Sequence, residues 1–273
     1  MKPVLPPIGF GTWQLIGSDA HTALLCAIKC GYRLIDTAAS YGNETTIKRV
    51  LKSCDTVRED LYISGKLWNS KRKYKDAITA CKQSLKRLGL EYFDLFLVHW
   101  PASPVLHQNW RETNAECWFA METIYRDGLA RSIGVCNYLP HHLDELKKTA
   151  KLMPAINQIE LHPGFLNSDT LEYCKKRGIA VQAWSPLGSG SLLHNESITT
   201  IAAKYQKTPA QICLRWCVQH GAVPLPKSAK PERIRENYDI FSFELSRKDM
   251  TTIDSLPFSG GFGYDPDTIT IFG

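Results

Sequence analysis

No apolar stretch in this chain of 273 residues is long enough to cross a bilayer, and its opening, MKPVLPP, has neither the basic nor the apolar region of a secretion signal. Membrane insertion and export are therefore not expected, and a cytoplasmic, reducing environment is. The nine cysteines agree: they are odd in number and contain no CxxC, and no HExxH accompanies them, so neither a disulfide framework nor a metal centre is expected. Cys26 and Cys30, like Cys213 and Cys217, are four apart, a spacing that puts two thiols on one helix face. Buried helix packing is the expected use of both pairs, since a free cysteine behaves as a small hydrophobe.

Low-complexity segments and long runs of like charge are also missing, so no linker or disordered tail divides the chain. A single domain over 1–273 is expected, with 44% hydrophobic residues to fill its core. The net charge is +6, but its notable cluster, Lys227, Lys230, Arg233 and Arg235, is short and carries no interleaved aromatics. That pattern suits a phosphate on a small molecule better than a nucleic acid. No GxSxG elbow is present, which argues against a hydrolase, and no GxGxxG joins a strand to a helix, which argues against the Rossmann way of holding a pyrophosphate.

What the sequence has is a repeated punctuation. An amphipathic run, a glycine and a short apolar run recur at Gly31, Gly89, Gly128, Gly178 and Gly221, and glycine just past a helix end turns the chain toward a strand. Eight strands follow: 8–13, 32–36, 61–65, 93–98, 132–135, 155–159, 179–184 and 222–226. Near-continuous apolar strands separated by helices imply a parallel sheet covered on its outer face, and eight such units fit a closed (β/α)8 TIM barrel. Asp36, Lys66, His99, Asn137, Gln158 and Lys227 stand at or just beyond strand C-termini, and in a barrel all those ends share one mouth.

The motifs GFGTW (9–13), LIDTAASYGNE (34–44), GKLW (65–68), LFLVHWP (95–101), IGVCNY (133–138), NQIELHP (157–163), AWSPLG (183–188) and LPKSAKPERIRENYDIFSFEL (225–245) resemble the ordered motif set of the aldo-keto reductases over most of the chain. Chemistry agrees with the resemblance. A carbonyl that accepts hydride becomes an alkoxide and needs a proton donor and positive potential at the oxygen. Tyr41 is the candidate donor, and a lysine ammonium within reach is expected to lower its pKa. The resemblance implies a catalytic tetrad of Asp36, Tyr41, Lys66 and His99, with His99 orienting the carbonyl.

For the cofactor, Pro231 begins a helix whose amides attract an anion. Lys227, Ser228, Lys230 and Arg233 then read as a clamp on the adenosine 2′-phosphate, favouring NADPH over NADH. By similarity Glu236 and Asn237 contact adenine, Cys136, Asn137 and Gln158 hold the nicotinamide carboxamide, Trp184 stacks on its ring, and Thr12, Trp13, Asp36, Ser185 and Leu187 complete the cofactor contacts. Trp13, Trp68 and Trp100, with Tyr41 and His99, are expected to wall a substrate pocket.

Three departures from the family pattern stand out: Cys136 in place of serine, Trp184 in place of tyrosine, and only seven residues before Ile8 where relatives carry a closing β-hairpin. The short loop over 188–195 and the tail over 258–273 resemble those of compact microbial members, implying an open pocket for small aldehydes, α-dicarbonyls or keto-sugars and a monomeric protein. A nicotinamide-binding regulatory protein on the same barrel is the alternative.

Overall fold

The computed structural model describes residues 4–270. Its eight strands are β1 (Gly9–Gly11), β2 (Leu34–Asp36), β3 (Tyr62–Leu67), β4 (Leu95–Val98), β5 (Ile133–Cys136), β6 (Ile156–Glu160), β7 (Ala180–Trp184) and β8 (Ala222–Pro224). They pair in sequence order, every neighbour parallel. The β1–β8 seam is joined by Gly11 N donating to Pro226 O at 3.0 Å. A Cβ on Gly11 would lie 2.9 Å from Leu225 O, so a larger residue would push the seam apart. The expected TIM barrel is present.

Ten α-helices surround it: α1 (Gly17–Cys30), α2 (Glu44–Ser53), α3 (Tyr74–Leu88), α4 (Trp110–Arg126), α5 (Pro140–Lys147), α6 (Ser168–Arg177), α7 (Glu196–Tyr205), α8 (Pro209–Gln219), α9 (Pro231–Tyr238) and α10 (Arg247–Asp254). The glycine punctuation works as read: α1 and α6 end on Gly31 and Gly178 with φ of 108° and 70°. α8 starts with a reciprocal cap between Thr208 and Gln211 followed by Pro209, an arrangement typically contributing about 1 kcal/mol.

Period-two alternation divides the strands between two cores. Phe96 and Val98 of β4 face the helices, whereas Leu95 and Leu97 join Cys136 and Ile156 inside the barrel. Leu5 packs on this inner cluster beside Tyr62, Ala155 and Ala180. Among the described residues no strand precedes β1, so the floor of the barrel is filled by an apolar side chain where a closing hairpin would lie.

Two strands run further than the sequence suggested. β3 continues through Leu67 and β6 through Glu160, so Lys66 lies inside its strand, not beyond the end, while Gln158 lies within its strand as expected. Burial on both faces sustains a strand through a polar residue when the lumen supplies that residue with partners. Cys213 and Cys217 are sealed in the core, as expected of a packing pair; Cys26 and Cys30 are only half buried, and helix packing describes them incompletely.

Candidate active site

The polar layer at the top of the lumen is held by four strands. Lys66 Nζ on β3 donates to Asp36 Oδ2 on β2 at 2.5 Å, to Thr37 O at 3.3 Å and to Tyr41 Oη at 3.2 Å. Gln158 Nε2 on β6 donates to Asp36 Oδ1 and to Gln182 Oε1 on β7, both at 2.9 Å. Asp36, Lys66, Gln158 and Gln182 are all buried, and a buried ion pair is tolerated only when its remaining hydrogen-bonding capacity is met.

Tyr41 ends a single 3-10 turn, Ala39–Tyr41, just beyond β2. Asn43 pins that turn: its Oδ1 accepts from Thr37 Oγ1 at 2.9 Å, and its Nδ2 donates to Thr12 O and Leu15 O at 2.8 and 3.1 Å. The His99 ring meets Tyr41 edge to face at 5.9 Å between centroids and Trp68 at 5.2 Å. Its Nδ1 is buried without a hydrogen-bond partner among the described residues. Asp36, Tyr41, Lys66 and His99 therefore share one rim, with Tyr41 touching both Lys66 and His99.

The electrostatics correct one expectation. Burial pushes the Tyr41 phenol up, Lys66 pulls it down and Asp36 pushes it up again, leaving it at about 12 instead of below its ordinary range. Lys66 lowers the value as reasoned, but desolvation outweighs it. Burial opposes charge on Lys66 itself, yet the Asp36 carboxylate holds its ammonium above the ordinary lysine range. Burial, with Lys66 nearby, keeps His99 well below the ordinary histidine range, so its imidazole is neutral at physiological pH. The rim presents a protonated phenol, an ammonium and a neutral imidazole, the set needed to protonate a developing alkoxide.

The expected nicotinamide contacts divide. Asn137 follows β5 with φ of 62° and Ser185 follows β7 with φ of 51°; non-glycine residues in the left-handed region concentrate at functional sites. Asn137 Nδ2 donates to His99 O at 3.1 Å, and its Oδ1 accepts from Trp184 Nε1 at 2.7 Å. Ser185 Oγ accepts from Ser189 N at 3.1 Å. Three others are less available: Thr12 is fully buried with its hydroxyl on Asp36 O, Cys136 is buried in the inner cluster, and Leu187 packs on the outer core.

At the other end of the expected cofactor path, α9 begins at Pro231 as read, with Lys230 as its N-cap residue. Lys227, Lys230, Arg233 and Arg235 are exposed, and no carboxylate among the described residues lies within ion-pair distance of them. Ser228 Oγ accepts from Lys230 N at 3.0 Å. Glu236 Oε1 is already engaged by Thr208 Oγ1 at 2.7 Å, and Asn237 is buried.

The tail departs from the open pocket the sequence suggested. Glu160 Oε1 and Oε2 accept from Phe262 N at 2.6 Å and Gly263 N at 2.9 Å. A Cβ on Gly261 would meet Glu160 Oε1 at 2.2 Å, so the tail approaches this carboxylate only with glycine there. Phe262 then packs between Trp13 and Trp184, and Tyr264 against Trp100. Farther along, Ser103 Oγ donates to Asp267 O at 2.7 Å, and His141 Nε2 lies 3.0 Å from Asp267 Oδ1. Asn137, Glu160, Trp184 and Tyr264 also line a small cavity of about 20 Å³ that does not reach Tyr41 or His99. Residues 271–273 of the tail lie outside the described residues.

Of the expected aromatic wall, Trp13 is 44% exposed and Trp68 half buried, whereas Trp100 is buried under the tail. Sequence reasoning missed Asn43, Glu160, Gln182, Phe262 and Tyr264. Asn43 and Glu160 lie inside quoted motifs, the available signal; the other three become visible only through long-range packing.

His141, His142 and Asp267 also cluster. Because His142 Nδ1 accepts from Leu139 N at 3.1 Å, the proton of its neutral ring sits on Nε2, 3.1 Å from Asp267 Oδ1. That tautomer leaves His142 no lone pair for a metal, and its Nε2 faces the carboxylate without the geometry of a hydrogen bond.

A model of the aldo/keto reductase family matches residues 7–257. The chain is 44% identical to the glyoxal reductase of Bacillus subtilis (strain 168) over 97% of this chain and 94% of the relative. An aldo-keto reductase enzyme from a Medee basin deep-sea metagenome library superposes with a TM-score of 0.92 at 38% identity, covering 98% of this chain and 97% of the other. A Bombyx mori aldo-keto reductase in complex with NADP gives 0.84 at 33% identity, covering 92% and 88%.

Proposed function

Because the chain belongs to the aldo/keto reductase family, we propose that it is an NADPH-dependent reductase of small aldehydes, α-dicarbonyls or keto-sugars, acting as a monomer in the cytoplasm. The observation that carries this reading is the hydrogen-bonded chain Asp36–Lys66–Tyr41 at the barrel mouth, with Lys66 Nζ 2.5 Å from the carboxylate and 3.2 Å from the phenol. The residues fit the cofactor at both ends: exposed cations with no carboxylate partner among the described residues surround the start of α9, and Asn137, Gln158 and Trp184 meet at the rim. An NADP complex of a relative supports the same choice.

When bound, the reduced nicotinamide supplies the hydride. The protein's own contribution is the proton and the field. Tyr41 Oη holds its proton at neutral pH and delivers it to the carbonyl oxygen, while the Lys66 ammonium offsets the charge left on the phenolate. Asp36, anchored by Gln158, fixes Lys66 in place, and neutral His99 donates an N–H to the same oxygen. The uncharged aromatic surroundings of Trp13, Trp68 and Phe262 favour small, neutral, planar carbonyl compounds, in keeping with the glyoxal reductase likeness.

Loss of NADPH absorbance with methylglyoxal or a nitrobenzaldehyde tests the reading. Turnover is expected; tight NADPH binding with no turnover across a carbonyl panel would point to a nicotinamide-binding regulatory protein instead.

A further inference from the structure

Cys26 and Cys30 sit one helical turn apart at the end of α1, their sulfurs 3.8 Å from each other and both half buried. With Leu25, Lys29, Pro231 and Arg235 they line a groove of about 440 Å³ between α1 and α9. Cys26 Sγ also lies 3.8 Å from Pro231 O, the carbonyl of the first residue of α9, to which it donates. The reductase reading uses neither thiol. We propose that Cys26 and Cys30 form a redox-active dithiol whose oxidation to a disulfide disturbs the cation-bearing helix α9.

Residues four apart on an α-helix have Cα atoms about 6 Å apart, inside the span a disulfide bridges. The sulfurs must close from 3.8 Å to about 2 Å, which side-chain rotation supplies at some cost in strain. Strained, accessible disulfides are easily reduced, the property expected of a reversible modification. Burial and the neighbouring Cys26 push the Cys30 thiol up, while Arg235 pulls it down.

A peroxide-class oxidant supplies the balance. One thiol attacks the peroxide and becomes a sulfenic acid as one water leaves; the second thiol displaces the hydroxyl as a second water. Two thiols lose two electrons and two protons, hydrogen peroxide gains both, and one S–S bond forms. Oxidation removes the donor from Cys26 to Pro231 O and draws the sulfur away from α9, which begins at the proposed 2′-phosphate clamp. This coupling rests on the NADPH reading; disulfide formation does not.

The test uses the whole protein treated with hydrogen peroxide, with and without later reduction by dithiothreitol. Trypsin cleaves after Lys29, between the two cysteines, so the expected product is the fragment 30–33 linked to the fragment ending at Lys29, separated by reductant. NADPH affinity, followed by fluorescence, is expected to weaken about fivefold on oxidation, the scale of one lost hydrogen bond, and to recover on reduction. Cys26→Ser and Cys30→Ser should each abolish the response and leave the affinity of the reduced protein unchanged. Absence of the linked fragments overturns the site. Linked fragments with unchanged NADPH affinity, or a response that survives in both variants, overturn the coupling. A reduced protein that binds no NADPH, yet forms the linked fragments, refutes the cofactor reading and leaves the dithiol standing.

Discussion

At the barrel mouth Lys66 is buried and fixed 2.5 Å from Asp36, whereas around the start of α9 Lys227, Lys230, Arg233 and Arg235 stand exposed with no carboxylate partner among the described residues. The two regions handle positive charge in opposite ways. At the mouth the charge is desolvated, oriented and neutralised, so it acts over a few ångströms on one hydroxyl and is little screened by salt. At α9 it is hydrated and uncommitted, so it can capture an anion from solution and weakens as ionic strength rises. On the proposed function, chemistry belongs to the first arrangement and capture to the second, and mutations in the two places should separate them.

The sharpest separation is expected from Tyr41→Phe. The proton is lost while the cations of α9 are untouched, so kcat for carbonyl reduction should fall by about 10³ with NADPH affinity nearly unchanged. Steady-state turnover beside a fluorescence titration measures both; retention of more than about a tenth of the activity would remove Tyr41 from the acid role.

Second in size is the pH dependence. A phenol held at about 12 is protonated through the neutral range and His99 is neutral there, so reduction should be nearly flat from about pH 6 to pH 9. The reverse reaction needs the phenolate. Its fraction rises about tenfold per pH unit below the phenol's pKa, so alcohol oxidation should climb about a hundredfold between pH 7 and pH 9. A reduction rate that falls with a midpoint near pH 8 would show instead that Lys66 outweighs burial in the working protein.

On the α9 side, Arg233→Ala should weaken NADPH by about tenfold, the scale of one charge-assisted hydrogen bond, and NADH little. Adding salt should erode the NADPH preference of the parent protein in the same direction. Equal losses for both nucleotides would detach Arg233 from the 2′-phosphate.

The same contrast explains what was legible in the sequence. Helix ends at Gly31 and Gly178, the proline start of α9 and the eight strands are local signals, and they read correctly. The expected tetrad could be gathered from the sequence because Asp36, Lys66 and His99 lie near strand ends, with Tyr41 in the turn after β2, and the barrel brings those ends together. What stayed hidden depends on partners remote in sequence. Glu160 meets amides 102 and 103 residues later, the half-burial of Cys26 depends on how α1 packs against α9, and the net shift of Tyr41 depends on how completely the fold excludes water. Strand extension through Lys66 was equally invisible, because a polar residue reads as an end until its lumen partners are known.

The smallest expected effect tests whether the tail belongs to the site or merely rests on it. Phe262 packs between Trp13 and Trp184 because Glu160 takes both Phe262 N and Gly263 N, a buried carboxylate satisfied by backbone amides. If the ring limits the space above Tyr41 and His99, Phe262→Ala should enlarge that space without touching proton donor or α9. The expectation is a change of about fivefold in the ratio of kcat/KM for a nitrobenzaldehyde over methylglyoxal, in favour of the larger compound, with NADPH affinity unaltered; removing one part of an apolar wall shifts discrimination by about 1 kcal/mol. Glu160→Gln should shift the ratio in the same direction, since it frees the segment that carries the ring. If both variants leave the ratio unchanged while hydrogen exchange shows the tail released, the cover does not select substrates, and discrimination falls to Trp13 and Trp68 on the barrel itself.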